Sequence, residues 1–181
     1  MSSILKVNTL QDANGNPIFS AEQFMLTANY AISSADTNEV LTSNWSEVTT
    51  NSDLNKPGKV GSFVSQSSGI FSFSKTGIYK VSLHTSFFLA GTANARYNAG
   101  NIEVTNNNSS YTIEAIGYAI LTSSSGGTDS TSSFIEYLLD VDDTSNVKVR
   151  ISVVSNSADT EIRANSNYVQ TNVLFSRIGD T

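Results

Sequence analysis

His84 is the only histidine of the chain, and there is no cysteine. Any Ser–His–acid triad would have to run through His84. Its neighbours Ser82 and Ser86 lie two residues away on the same strand face, and no acid is near in sequence to orient the ring. One histidine without cysteine is too few ligands for zinc. Missing thiols also exclude disulfide staples and a cysteine nucleophile. Asp140, Asp142 and Asp143 could gather calcium through carboxylates and turn carbonyls. Their spacing lacks the EF-hand period and its terminal Glu, so they read as a solvated turn. Glu103, Glu114, Glu136 and Glu161 are candidates for the paired carboxylates of glycoside hydrolysis, but nothing in their spacing joins two of them in one site. Gly126-Gly127 precedes neither a Lys nor a helix and is no phosphate loop. No catalytic residue, cofactor or metal is therefore expected, and the chain reads as a non-enzyme.

The elements around these residues are strands. Gly69 to Leu89 reads GIFSFSKTGIYKVSLHTSFFL. Phe71 and Phe73 alternate with serines, Lys75-Thr76-Gly77 makes a turn where Gly77 can take a positive φ, and alternation resumes from Tyr79. The sequence predicts a central hairpin here. Tyr79, Val81, Leu83, Thr85, Phe87 and Leu89 form a core-facing set. The opposite face is polar except for His84 and Phe88. Further strands are expected over Ala28 to Ile32, Asn101 to Thr105, Tyr111 to Leu121, Phe134 to Val141, Val147 to Val154 and Tyr168 to Ile178. Ala90–Gly100 and Ser123–Ser133, rich in small polar residues, read as exposed loops. No segment holds a helical period. About eight to ten strands joined by turn clusters imply an all-β antiparallel sandwich, and the long connections favour a jelly roll.

Composition agrees. The 181 residues suit one domain plus an arm. A net charge of −6 argues against nucleic acid, which needs clustered Lys and Arg. No apolar run approaches the roughly 20 residues of a membrane span, so no membrane insertion is expected. Met1-Ser-Ser-Ile-Leu-Lys lacks the features of a signal peptide, so synthesis in the cytoplasm is expected.

Residues 1–24 read as an N-terminal arm and 25–181 as the jelly-roll knob. Ile4, Leu5, Val7, Leu10, Ile18 and Phe19 form apolar patches too short to make a core, separated by an Asn14-Gly15-Asn16-Pro17 turn. An arm of this composition is expected either to attach the protein to a partner or to dock as a strand on its own domain.

Two resemblances carry these readings further. Phe71 to Tyr79, then Phe134 to Val149 with its acidic turn at Asp142, then Tyr168 to Ile178, follow an order that resembles the C1q and tumour-necrosis-factor family of trimeric jelly rolls. The turn has Asp-Asp where that family carries Gly-Asp, and no collagen-like stalk is present. The resemblance implies a C1q/TNF-like topology and a homotrimer, with the strand Tyr79–Leu89 facing the threefold axis. It would put Ser82, His84, Ser86 and Phe88 in the trimer interface. The stretch Leu5 to Asn16 resembles the N-terminal leader of structural proteins in phages of marine bacteria, cyanophages especially.

Together they imply a bacteriophage virion protein exposed on the particle surface, a trimeric knob joined to capsid or tail proteins by its arm, as capsid decoration, head fibre or tail fibre. The alternative is a C1q-like binding module, adhesin- or lectin-like, that recognises a host receptor or glycan. Loop contacts with a host would then come from Tyr97, Asn98, Asn101 or Asp129.

Overall fold

The structure, a computed structural model, describes residues 20–48, 61–89, 95–121 and 129–181. The attachment residues Ile4, Leu5, Val7, Leu10, Ile18 and Phe19 lie outside these. The described strands are β1 (Ser20–Leu26), β2 (Tyr30–Ala31), β3 (Glu39–Val40), β4 (Trp45–Glu47), β5 (Val64–Ser67), β6 (Ile70–Phe73), β7 (Gly77–Leu89), β8 (Ala95–Thr105), β9 (Thr112–Leu121), β10 (Asp129–Val141), β11 (Lys148–Ser155), β12 (Thr160–Ile162) and β13 (Asn172–Gly179). All are antiparallel to their partners. No helix forms among the described residues, so none is long and apolar enough to cross a membrane.

The strands make two sheets. In the first, β7 is the spine: β10 pairs along one edge, and β13 then β12 along the other. The sheet continues through β1 to β4 on the β13 side, and β2 joins β12. In the second, β5, β6, β11, β8 and β9 follow in that order, and β3 adds to β11. The edge strands β9 and β10 border the same side of the sandwich and lie against each other without a pairing ladder.

The expected central hairpin is not one. β6 belongs to the second sheet and β7 to the first, so Ser74 to Thr76 carries the chain across the sandwich. Phe71 and Phe73 of β6 and Tyr79 of β7 point inward, and Phe73 meets Tyr79 at 4.7 Å between ring centroids. The Tyr79 hydroxyl donates to the Lys75 carbonyl at 2.8 Å and closes the corner. Burial pushes that hydroxyl's pKa up to about 12, against the opposing effect of the Arg177 charge. Gly77 has φ 143, and a Cβ there would stand 2.6 Å from the Gly179 carbonyl oxygen. The true hairpin is β5–β6. Its two-residue turn, Ser68-Gly69, has both φ positive, the twist that hairpin strands favour.

Between the sheets lies an aromatic core of Phe24, Trp45, Phe63, Phe71, Phe73, Tyr79 and Phe175. Phe71 packs against Phe24 at 5.2 Å, Phe175 at 5.1 Å and Trp45 at 5.4 Å. Trp45 satisfies its indole N–H on the Leu41 carbonyl at 2.7 Å.

β1 corrects the expected boundary of the knob. It starts at Ser20, pairs with β13 from Ser20↔Arg177 to Met25↔Asn172, and buries Phe24. Glu22 is buried too. Its two carboxylate oxygens accept the backbone N–H groups of Phe63 at 2.7 Å and Val64 at 2.8 Å. A carboxylate in the core is tolerable because two donors meet it there. Residues 20–24 thus belong to the domain.

Candidate interaction surfaces

The outward face of β7 carries Lys80, Ser82, His84, Ser86 and Phe88, as alternation requires. The protomer itself satisfies most of this row. The His84 Nδ1–H donates to the Gln170 carbonyl at 2.7 Å, since a carbonyl only accepts. Ser86 accepts from Gln170 Nε2 at 3.3 Å. Ser82 donates to Glu136 Oε1 at 2.9 Å, and Lys80 pairs with the same carboxylate at 2.8 Å. The hydrogen bond from Lys80, then that from Ser82, holds the Glu136 carboxyl below the usual range. The Arg163 guanidinium covers the Phe88 ring at 3.5 Å and pairs with Glu161 at 3.4 Å. Ser82 and Ser86 are buried within one protomer, so their burial needs no second copy.

The edge strands differ. Across β7, Phe134 of β10 stands opposite His84 and Leu138 opposite Lys80, both pointing outward. Phe134 is 62% exposed and Leu138 63%. On β9, Tyr118 is 66% and Ile120 67% exposed, and Ile116 follows at the same period. Sequence reasoning did not single these residues out. The signal was present, since Ile116, Tyr118 and Ile120 oppose a face of Gly117, Ala119 and Leu121 that is also apolar.

The proposed loop contacts need correction. β8 begins at Ala95, so much of the expected Ala90–Gly100 loop is strand, and β10 likewise starts at Asp129, inside the expected Ser123–Ser133 loop. Small residues read as loop because here they let the sheets approach closely: a Cβ on Gly100 would run into the Thr85 hydroxyl. Asn98 is 0% exposed and Asn101 1%, which removes both side chains as surface contacts. Asn101 Nδ2 is spent on Asn38 Oδ1 at 2.9 Å. Tyr97 remains half-buried. It donates to Asp36 Oδ1 at 2.6 Å and packs edge-on to Tyr118 at 6.4 Å. Asp129 opens β10 opposite Leu89, half-buried.

The acidic residues weighed for chemistry hold structure. Glu103, buried on the outer side of the second sheet, accepts from Ser152 at 2.5 Å, Asn38 at 2.6 Å and Arg150 Nε at 2.5 Å. Burial raises its pKa, but these bonds and the Arg150 charge outweigh burial and hold the carboxyl below its ordinary value. Asp143 accepts from Ser145 N at 2.8 Å and Asn146 Nδ2 at 2.7 Å, capping the turn foreseen there. Among the described residues no three His, Cys, Asp or Glu gather as metal ligands.

These sheets and their order define a TNF-like jelly roll. The chain superposes on murine APRIL with a TM-score of 0.59 at 9% identity, covering 88% of this chain and 98% of that one. It superposes on the Eiger TNF of S. frugiperda with a TM-score of 0.60 at 12% identity, covering 90% and 94%. At such identities the likeness is one of fold. No family model and no curated protein matches the chain.

Proposed function

We propose that this chain is a non-enzymatic virion structural protein of a bacteriophage, a homotrimeric jelly-roll knob held to the particle by residues N-terminal to β1. The carrying observation is the exposed apolar set on β9 and β10, namely Ile116, Tyr118, Ile120, Phe134 and Leu138. Each such side chain, fully removed from water, contributes roughly 1.5–3 kcal/mol. Exposed apolar rows on two adjoining edge strands, beside a polar, satisfied sheet, mark a place where another protein sits. Closed threefold symmetry supplies that protein from identical copies. Ser82, His84, Ser86 and Phe88 share a sheet face with Phe134 and Leu138, so the same contact extends over them. The reading of the particle rests on the resemblance of Leu5 to Asn16 to phage leaders. A C1q-like ligand-binding module is the second reading, favoured by the TNF-like fold alone.

Mass spectrometry of purified phage particles tests the role. The protein should be present at a copy number divisible by three, and a chain lacking residues 2–19 should fold yet be absent. Normal incorporation of that truncated chain would overturn the attachment role.

A further inference from the structure

At the end of the sandwich where β1 begins, a pocket of about 420 Å³ opens between the β8–β9 turn and β10, lined by Val104, Asn106, Ser110, Thr112, Glu114 and Tyr137. Its shape comes from an irregularity in the ladder. Ile102 pairs with Ala115, but the next residue, Glu103, pairs with Ile113. Glu114 is the extra residue of a bulge, a device that re-aims a side chain. The carboxylate is turned toward β10, where it accepts the Tyr137 hydroxyl. Thr112 Oγ1 donates to Glu114 Oε1 at 2.6 Å. The turn is set by Asn107, whose Oδ1 accepts from Thr105 Oγ1, Ser109 N and Ser110 N at 2.9–3.0 Å.

We propose that the pocket binds a neutral saccharide, seating one pyranose ring with its hydroxyls on Glu114. The lining contains no Lys or Arg, and its single charge is negative, so an anion is refused. A carboxylate offers about four lone-pair directions, of which Thr112 and Tyr137 occupy two. The other two suit the paired donors of neighbouring ring hydroxyls. Asn106 and Ser110 add amide and hydroxyl groups around the rim, while Val104 and the Tyr137 ring give the carbon face of a sugar an apolar floor. One protomer supplies every lining residue, and Thr112, Glu114 and Tyr137 lie on the same β9 and β10 strands that carry the apolar rows.

Saturation-transfer NMR on the full chain tests it, using the methyl glycosides of glucose, galactose, mannose, rhamnose and N-acetylglucosamine, with putrescine as a cationic probe. At least one glycoside should bind, and Glu114→Gln should weaken it about tenfold or more, because an oriented charged acceptor is lost. Tyr137→Phe should weaken it several-fold, with the melting temperature of both variants unchanged. The proposal is overturned if no glycoside binds, if putrescine alone binds, or if Glu114→Gln leaves glycoside binding intact. None of these outcomes bears on the oligomeric state, which is read separately by mass.

Discussion

The outward row of β7 and the outward rows of β9 and β10 are both strand faces turned away from the core, yet the molecule treats them differently. On β7, every polar group named above finds a partner inside the protomer, and Phe88 is roofed by Arg163. On β9 and β10, Tyr118, Ile120, Phe134 and Leu138 stay 62–67% exposed in the protomer, with Tyr118 packed edge-on to Tyr97. A central strand is closed by its neighbours, whereas edge strands present what the protomer does not cover. In the proposed trimer the edge rows therefore supply most of the association energy, and the β7 row supplies shape and register.

The largest effect separates both surfaces from the arm. Removing residues 2–24 deletes Glu22 and Phe24, strips β13 of a partner strand and leaves the Phe63 and Val64 amides unmet. That chain should not fold, as circular dichroism and aggregation will register. Removing 2–19 spares β1 and should leave both surfaces and the melting temperature as they are.

Next comes the edge. Ile120→Glu with Phe134→Glu removes two large side chains worth roughly 3–6 kcal/mol together if fully covered, so the dissociation constant of the assembly should rise at least about a hundredfold. The protomer should keep its stability, since both residues are exposed.

A smaller effect is expected at Glu103, outside both surfaces. Its carboxyl is depressed in the folded state, so its stabilisation is present above the unfolded value of 4.5 and is lost as pH falls through the folded value. Glu103→Gln should lower stability at neutral pH by about 1–3 kcal/mol and flatten the loss seen on acidifying below that value. Denaturant titrations at pH 7 and at pH 3.5 measure both. An unchanged acid profile would show that this carboxylate is not the group involved.

The smallest effects fall on the β7 row. Phe88→Ala loses its contact with Arg163 and should cost about 1 kcal/mol. Ser86→Ala should change association by no more than about 0.5 kcal/mol. If Ser86→Ala dissociated the assembly while the edge variant did not, the order of the two surfaces would be reversed.

Much of this was legible in residues. Alternation placed β7, β9, β11 and β13 and separated Val81 and Leu83 from Ser82 and His84. It could not say which sheet a strand joins. Lys75-Thr76-Gly77 fits a hairpin or a corner equally, and the deciding contacts, Phe73 with Tyr79 and Tyr79 with Lys75, form only when the sheets pack. Ala95 to Gly100 looked like loop because small residues were read as freedom, when they serve close approach of the sheets. Glu22 carries no mark in the sequence and Glu103 reads there only as a candidate for a carboxylate pair, because the donors that hold them come from 41 and 49 residues away. Ile116, Tyr118 and Ile120 were visible as apolar, but only the sheet order reveals that their strand is an edge. The bulge at Glu114 has no sequence signature here.

Sedimentation velocity of the full chain at micromolar concentration and neutral pH tests the central claim most directly. The account predicts a single species of three times the 19.4 kDa protomer mass. A stable monomer, with Phe134 and Ile120 intact, would contradict it.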